Sequence, residues 1–231
     1  MIAHQKLIRE QKRQTDNGGL FTYPQNVDIK KAIVKEIDYN TASKIIFEYE
    51  WLGTMPTFCT HYFGIYFDDI CAGVVIYGIS LPQSVLDSVC GKKYGNKVRV
   101  LSRGACVWWA HPHSASKLIG ESLKVLDKQG YKAVIAFCDT RAGEIGTIYQ
   151  ACNFLYIGES KGGKEYFIEG KWRTGKGAAN YAHQKRNLNE YEQRDRSLKH
   201  KYVYLLGDKK EKKEMMEYLK DKIQPYPKRI E

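Results

Sequence analysis

A run of chemically distinctive side chains follows an apolar stretch in the middle of the chain. Asp139 ends the apolar residues 131–138, Gly143 and Gly146 come after it, and Tyr149 lies one helical turn further on. A carboxylate at the end of a strand can orient or deprotonate an amine, and a phenol can serve as a general acid. Tyr149 could instead be a packed side chain whose hydroxyl only bonds a neighbouring carbonyl. The spacing predicts an active site.

A second group of polar residues lies at the start of a predicted helix. Ser114 and Ser116 follow a predicted strand at 98–109, and apolar residues recur at roughly helical spacing until Gly130. The free N–H groups of a helix start, reinforced by serine hydroxyls, can hold a diphosphate. This arrangement suits acetyl-CoA or a related CoA compound. The two serines could also be ordinary helix caps.

Arg103 interrupts the apolar part of the same predicted strand. A buried cation needs an anionic partner close by. We expect that partner to be Asp139, from the neighbouring strand, or the substrate itself. An Arg103–Asp139 pair could also be purely structural.

The hydrophobic pattern around these residues predicts an α/β (α+β) body. Strands are predicted at residues 32–37, 62–67, 71–79, 98–109, 131–138, 154–157, 165–168 and 202–206, and helices at 40–53, 114–129, 146–152 and 209–222. The runs at 62–67 and 71–79 flank a tight turn and predict an antiparallel hairpin. The polar insert at 82–96 is ambiguous. The order of elements favours a mixed sheet with helices on both faces.

Positive charge is concentrated at the two ends of the chain, whose formal net charge is +11. Residues 171–231 hold 17 Lys/Arg and 9 Asp/Glu, residues 1–31 hold 6 and 3, and residues 32–170 hold 14 of each. We therefore predict a loosely ordered basic arm at 1–28, a catalytic domain at 29–170, and a basic extension at 171–231 with a terminal helix, packed on or continuous with that domain. The basic ends favour a polyanionic partner. Charged tails can also serve solubility alone.

Basic and aromatic residues alternate in two places that could contact nucleic acid. The first is the start of the extension, where the candidates are Lys171, Trp172, Arg173, Lys176, Lys185 and Arg186. A solvated charged loop is the alternative there. The second is the body, where Trp51 and Tyr66 could stack on a base that has left the duplex, or could be core residues.

Other features of the sequence narrow the class of protein. The six cysteines show no metal-binding spacing, so we expect reduced thiols that pack as small apolar residues. The sequence has no run of about 18 uncharged apolar residues and no signal-peptide pattern. We therefore expect a cytoplasmic protein with no membrane partner.

The order of elements, with a phosphate-sized turn before the helix at 114, resembles the GNAT N-acetyltransferase fold. A finer resemblance, to the phage Mom family of DNA-modification proteins, covers most of residues 40–230. Its typical motifs have counterparts here in Ser102-Arg103, Ser116, Asp139, Gly143, the Gly-Thr-Ile-Tyr-Gln-Ala run at 146–151, and Asn153. The chain departs from both patterns: the usual glycine-rich GNAT turn is replaced by residues 111–116, Glu144 replaces a histidine, and Glu50-Trp51 stands where Mom proteins often have His-Tyr.

The resemblance implies a function and a set of site residues. Mom proteins are implicated in converting adenine in double-stranded DNA to an N6-carbamoylmethyl derivative, which blocks restriction enzymes. The resemblance also implies catalytic roles for Asp139, Tyr149, Arg103 and Glu50, and CoA contacts from Ser114, Ser116, Lys117, Gly146 and Tyr156. The family's suspected iron would lose a ligand if it uses the missing histidine. Glu50 could still ligate a metal or be a helix-surface carboxylate.

Two other functions are compatible with the same residues. An ordinary acyl-CoA N-acyltransferase could act on a small amine or on a protein. A non-catalytic nucleic-acid-binding protein could retain the fold without the chemistry.

Overall fold

Helices and strands follow one another largely as the hydrophobic pattern predicts. The computed structural model describes residues 3–16, 27–160, 162–174 and 187–229. The helices there are α1 (His4–Asp16), α2 (Tyr39–Tyr49), α3 (Gln83–Cys90), α4 (Ser114–Lys128), α5 (Thr147–Ala151) and α6 (Lys209–Met216). The strands are β1 (Ile33–Glu36), β2 (Cys59–Phe67), β3 (Ile70–Gly78), β4 (Val98–Cys106), β5 (Ala133–Asp139), β6 (Leu155–Glu159), β7 (Lys164–Ile168), β8 (Lys171–Thr174), β9 (Gln193–Asp195) and β10 (Lys199–Leu205).

Seven of the strands form the main sheet, in the order β1-β2-β3-β4-β5-β10-β6. Neighbours are antiparallel except for β4 and β5, which are parallel. The other three strands form a small sheet in the order β8-β7-β9. The expected mixed sheet is confirmed, and so is the hairpin of β2 and β3.

The main sheet takes an inner strand from the region predicted to be an extension. β10 pairs with β5 along its whole length and with β6 on its other edge. The sheet that carries the site therefore continues to Leu205, well beyond residue 170. The small sheet is an insertion between β6 and β10.

Helices cover both faces of the main sheet. On one face, α4 packs on β3, and the hydroxyls of Tyr77 and Ser122 hydrogen bond at 2.6 Å inside the core. On the other face, Val98 and Val100 of β4 lie in a cluster with Leu86 of α3 and Met215 of α6. Burial on both faces explains why β4 and β5 are apolar along most of their length.

β4 and β5 separate halfway along their length. Residues 98–101 pair in parallel with residues 133–136, and the described strands form no pair between β4 and β5 beyond that point. There the register of β4 against β3 also shifts, because Tyr77 pairs with Leu101 but Ile76 pairs with Arg103. Ser102 is thus an extra residue in β4, and such a bulge bends a strand. The second halves of the two strands diverge and leave a cleft between them.

Two regions differ from the sequence prediction. Residues 4–16, predicted to be part of a loosely ordered arm, form α1, which lies against the second half of β4. The side-chain amide of Gln5 donates to the carbonyl of Gly104 at 3.0 Å, and the Arg9 guanidinium donates to the carbonyl of Trp108 at 3.3 Å. The ambiguous insert contains α3, which supplies core residues. None of the helices among the described residues is long and apolar enough to cross a membrane.

Candidate active site

The β4–β5 cleft is the candidate active site. It has a volume of about 1140 Å³. Its lining includes residues 100–106 of β4, residues 137–139 of β5, the turn at 144–149, Glu50 and Trp51 after α2, Ala115 of α4, and Gln5 and Arg9 of α1. The bulge in β4 therefore brings together residues that are far apart in the sequence.

Arg103 reaches this cleft but does not pair with Asp139. Its Nε lies 3.7 Å from Oε2 of Glu50 and 3.2 Å from the carbonyl of Thr54, to which it donates. The predicted Arg103–Asp139 pair is wrong, because the bulge at Ser102 turns Arg103 towards the end of α2. The buried cation has an anionic partner, as expected, but that partner is Glu50.

Glu50 is a buried residue of the cleft, so its interpretation as a helix-surface carboxylate is wrong. It follows the last residue of α2, and only 8% of its surface is exposed. Its Oε2 accepts a hydrogen bond from the N–H of Leu52 at 2.9 Å. Burial raises the pKa of the Glu50 carboxyl, and the charge of Arg103 opposes that rise.

Asp139 lies at the end of β5, where the sequence predicts it. Its Oδ1 accepts a hydrogen bond from the N–H of Arg141 at 2.9 Å, and its Oδ2 accepts one from the hydroxyl of Ser197 at 3.0 Å. The amine of Lys199 lies 3.8 Å from the same Oδ2. These contacts fix the position of the Asp139 carboxyl at the wall of the cleft.

Glu144 is a titratable residue of the cleft lining, and sequence analysis assigned it no role. It lies in the turn after Gly143, whose φ of 69° is left-handed. Burial raises the pKa of the Glu144 carboxyl to about 7, and the nearby carboxylates of Glu50 and Asp139 add to the rise. Its position where Mom proteins have a histidine was the signal in the sequence. Like a histidine, it changes protonation state near neutral pH.

Tyr149 lies in α5 and faces the cleft from the side of α4. Its hydroxyl makes a long hydrogen bond of 3.5 Å to the carbonyl of Phe137. Burial raises the pKa of the phenol well above its ordinary value. The side chain is therefore a protonated donor on the cleft wall, held by one weak bond.

The start of α4 carries groups suited to a diphosphate. The buried hydroxyl of Ser114 has no hydrogen-bond partner among the described residues. Nor do the described residues offer any to the N–H groups of Ala115 and Ser116, whereas the N–H of Lys117 bonds the carbonyl of His113. The hydroxyl of Ser116 donates to that same carbonyl at 3.0 Å. Free donors at the start of a helix of 15 residues fit an anionic group.

The other three residues predicted to contact a CoA compound lie in different surroundings. The amine of Lys117 donates to the carbonyl of Ile29 at 2.7 Å. Gly146 lines the cleft with a left-handed φ of 71°, and the ring of Tyr202 occupies the place where a Cβ would lie. Tyr156 is buried with its hydroxyl 3.0 Å from Nδ1 of His200, and it is not part of the cleft lining.

A basic wall lines the cleft next to Asp139, and sequence analysis did not identify it. Its members are Arg196, Lys199, Lys201, Lys222 and Arg229. Lys199 and Lys201 alternate along β10 with residues of the opposite face, and the amine of Lys222 donates to the carbonyl of Ser88 at 2.7 Å. Burial, together with the charge of Lys222, lowers the pKa of Lys201. An anionic partner in the cleft would relieve this crowding of positive charge.

The residues predicted to contact nucleic acid are dispersed. Trp51 lines the cleft. Tyr66 lies on β2, outside the cleft lining, with the amine of Lys35 4.2 Å from the centre of its ring.

Three further candidates belong to β8 of the small sheet. Lys171 is exposed, and the guanidinium of Arg194 lies 4.0 Å from the centre of the Trp172 ring. The guanidinium of Arg173 lies 3.7 Å from the carboxylate of Glu169. Lys176, Lys185 and Arg186 lie outside the described residues.

The part of the chain that the structure describes provides no set of ligands for a metal ion. Those residues contain no group of three or more His, Cys, Asp or Glu side chains arranged to hold a metal ion. Glu50, the residue at the position of the family's histidine, is bound to Arg103 instead. The described residues therefore do not fit an iron site.

Comparison with known proteins identifies similar sequences and folds. Residues 31–228 match the Mom protein family. No curated protein sequence matches the chain significantly.

Several acetyltransferases of known structure are similar in fold. A ribosomal-protein-S5-alanine acetyltransferase from Vibrio fischeri has a TM-score of 0.47 at 11% identity, covering 81% of this chain and 97% of that one. An IAA acetyltransferase from Bacillus cereus has a TM-score of 0.45 at 9% identity, covering 76% and 100%. An acetyltransferase from Bacillus subtilis, in complex with CoA, has a TM-score of 0.43 at 9% identity, covering 76% and 98%.

Proposed function

This chain belongs to the Mom protein family, and from that premise we propose that it is a transferase that modifies adenine in DNA. The product is an N6-carbamoylmethyl adenine or a related N6-acyl or N6-alkyl derivative, which protects phage DNA from restriction in the host cytoplasm. The observation that carries the proposal is the β4–β5 cleft, whose lining combines the carboxylates of Glu50, Asp139 and Glu144 with the cations of the basic wall.

A CoA compound fits the part of the cleft near α4. Ala115 lines the cleft, and Ser114 and Ser116 lie beside it outside the lining. The free N–H groups of Ala115 and Ser116, with the unpaired hydroxyl of Ser114, are the donors that we assign to the diphosphate. A bound acyl-CoA would supply an acyl carbon, whose transfer to the amine with departure of the CoA thiol gives the N6-acyl form of the product. Tyr149, kept protonated by burial, is the residue that would give a proton to the departing sulfur.

Glu144 is the group that removes a proton from the N6 amine. Its pKa of about 7 leaves a useful fraction ionised at neutral pH, and a buried carboxylate is a stronger base than an exposed one. Asp139 is held in place by its bonds to Arg141 and Ser197, and it orients the amine by accepting the second N–H. Because an adenine N6 amine is a weak nucleophile, this positioning contributes as much as proton removal does.

The basic wall supports DNA as the substrate. Lys199, Lys201 and Lys222 lie at the cleft, where the phosphates beside a reacting base would come closest. Phosphate contacts of this kind supply most of the affinity that is independent of sequence. Trp51, which also lines the cleft, offers an aromatic face for the base.

The proposal is tested by mass spectrometry of nucleosides digested from the DNA of cells that express the protein. Cells with the wild-type chain should contain a heavier adenosine, and their DNA should resist restriction enzymes. Cells with Asp139→Ala at the same soluble level should contain neither. Unmodified DNA beside abundant soluble wild-type protein would contradict the proposal, and transfer to a small amine without DNA would favour an ordinary N-acyltransferase.

A further inference from the structure

Phe58 is the most exposed large apolar residue among those described, with 77% of its surface accessible. Its backbone φ of 57° is left-handed, a conformation that bulky side chains rarely adopt. The other described non-glycine residues with positive φ are Asp68, Asn153 and Glu169, which are polar. Phe58 thus combines an unfavourable backbone with an unfavourable exposure, and such strain is concentrated at functional sites.

The conformation of Phe58 is fixed by its neighbours. The carbonyl of Phe58 accepts a hydrogen bond from the N–H of Ile79 at 3.0 Å. A Cβ at Gly78 would lie 2.5 Å from that carbonyl oxygen, so the glycine is what permits the close approach. The carbonyl of Pro56 accepts from the thiol of Cys59 at 3.0 Å, and that of Thr54 accepts from Arg103. The exposed ring therefore stands on a well-anchored segment.

This segment forms the rim of the β4–β5 cleft. Met55, Pro56 and Thr57, which immediately precede Phe58, line the cleft. Ser80, next to the bonded Ile79, lines it as well. Phe58 itself is not part of the lining. Phe58 thus directly adjoins the cleft lining, and its ring is exposed to solvent.

We propose that Phe58 is a wedge that enters the base stack of duplex DNA and fills the space left by an adenine turned out into the β4–β5 cleft. The inference rests on the proposed function, because it assumes that the reacting base is an adenine in a duplex. A base paired inside the helix cannot reach Glu144 or Tyr149 in their buried positions, so it has to leave the stack. An apolar side chain inserted at that step offsets the lost stacking.

Charge complementarity favours a nucleic acid over an apolar protein surface as the partner of Phe58. The same cleft carries Arg196, Lys199, Lys201, Lys222 and Arg229. A duplex places its phosphates around an extruded base, so it satisfies the cations and the exposed ring at once. An apolar protein partner would bury Phe58 but would leave this positive charge uncompensated.

The test is permanganate oxidation of plasmid DNA bound to the purified protein. Permanganate attacks thymines that have lost their stacking and pairing, so each adenine turned out exposes the thymine opposite to it. Sequencing then locates the reactive thymines, whatever the target sequence is. The readout needs no donor of the transferred group.

The variants separate a wedge from a structural role. Phe58→Ala and Phe58→Gly should each lower the protein-dependent thymine reactivity at least tenfold, with DNA affinity changed by less than about threefold. Glycine adopts left-handed backbone freely, so Phe58→Gly should fold at least as well as the wild type. Phe58→Trp should retain reactivity. Phe47→Ala is the matched control, because Phe47 is 56% exposed on α2 and lies outside the cleft lining.

Three results would overturn the inference. The first is that Phe58→Gly leaves thymine reactivity at the wild-type level, and the second is that this variant loses affinity and reactivity equally. The third is that the wild-type protein makes no thymine reactive, whether or not it binds the plasmid. Mass spectrometry of nucleosides from cells that express the protein tests the proposed function separately. Adducts formed normally by Phe58→Gly in cells would leave that function standing and remove the wedge.

Discussion

The two halves of β4 do different work although they belong to one strand. Residues 98–101 pair with β5, and Val98 and Val100 are buried against α3 and α6. Residues 103–106 have left β5 and line the cleft. In this second half Arg103 binds Glu50, and the carbonyl of Gly104 accepts from Gln5 of α1. A single extra residue, Ser102, separates the two.

The same contrast holds for two buried tyrosines. Tyr77, opposite Leu101 in the closed half, shares a 2.6 Å hydrogen bond with Ser122. Tyr149, beside the open half, has only the 3.5 Å bond to Phe137. Burial raises the pKa of both phenols, so burial alone does not mark the functional one. The difference lies in whether the polar group is already satisfied.

One of the two largest effects is expected for Glu144→Gln, which removes the proposed base. Adduct formation should fall by about 100-fold, because general bases typically contribute 10²–10⁴. Wild-type activity should rise with pH through about 7, since the carboxylate is the active form, and this rise should disappear in the variant. A pH series of adduct yields measures both. A variant that keeps the wild-type rate and pH profile would assign the base elsewhere.

The same variant should change stability in the opposite direction. The folded chain binds a proton at Glu144 between about pH 4.5 and pH 7 that the unfolded chain does not, so this group lowers the free energy of unfolding as pH rises through that window. Glu144→Gln should therefore be more stable than the wild type at pH 8 by about 1–3 kcal/mol, and similar to it at pH 4. Denaturant unfolding at both values checks this.

A smaller effect is expected in the basic wall. Lys201→Met keeps the length of the side chain but removes its charge, so DNA affinity at low salt should fall roughly threefold to tenfold, with the salt slope reduced by about 1. Lys124→Met is the control, because Lys124 is exposed on α4 in a pair with Glu121. Affinity titrations at several salt concentrations measure both. Equal effects of the two substitutions would mean that net charge, rather than the wall, binds DNA.

In the closed half, Val98→Ala should affect stability and little else. Val98 is fully buried and lies outside the cleft lining, so the change should cost roughly 1–3 kcal/mol of unfolding free energy. Activity per folded molecule should stay within about twofold of the wild type, as measured on samples with matched folded fractions. A specific loss of activity would show that Val98 also shapes the cleft.

The features that sequence analysis predicted best are local ones. The hairpin at β2 and β3, the helix start at Ser114, and Asp139 at the end of β5 each follow from the pattern of a few neighbouring residues. The helix predicted from residue 209 likewise starts where α6 does, and Asp208 and Glu211 form a capping box there. Such signals act within one or two turns of chain, so they do not depend on tertiary packing.

The features that sequence analysis missed depend on contacts between distant segments. Arg103 was assigned to Asp139 because the two strands are neighbours, but the bulge at Ser102 carries Arg103 to Glu50. β10 lies in the sheet between β5 and β6, although it begins 40 residues after the end of β6 in the sequence. It places Lys199 and Lys201 at the cleft. α1 is strongly charged, and its place on β4 follows from the bonds of Gln5 and Arg9.

The most direct test of the division between the halves of β4 compares Tyr149→Phe with Tyr77→Phe in the same cells, measuring adenosine adducts and thermal unfolding together. Tyr149→Phe should lose adducts by 100-fold or more, with stability within about 0.5 kcal/mol of the wild type. Tyr77→Phe should keep its adducts and lose about 1 kcal/mol of stability. Equal adduct yields from the two variants, at matched soluble protein, would contradict the assignment of the chemistry to the open half.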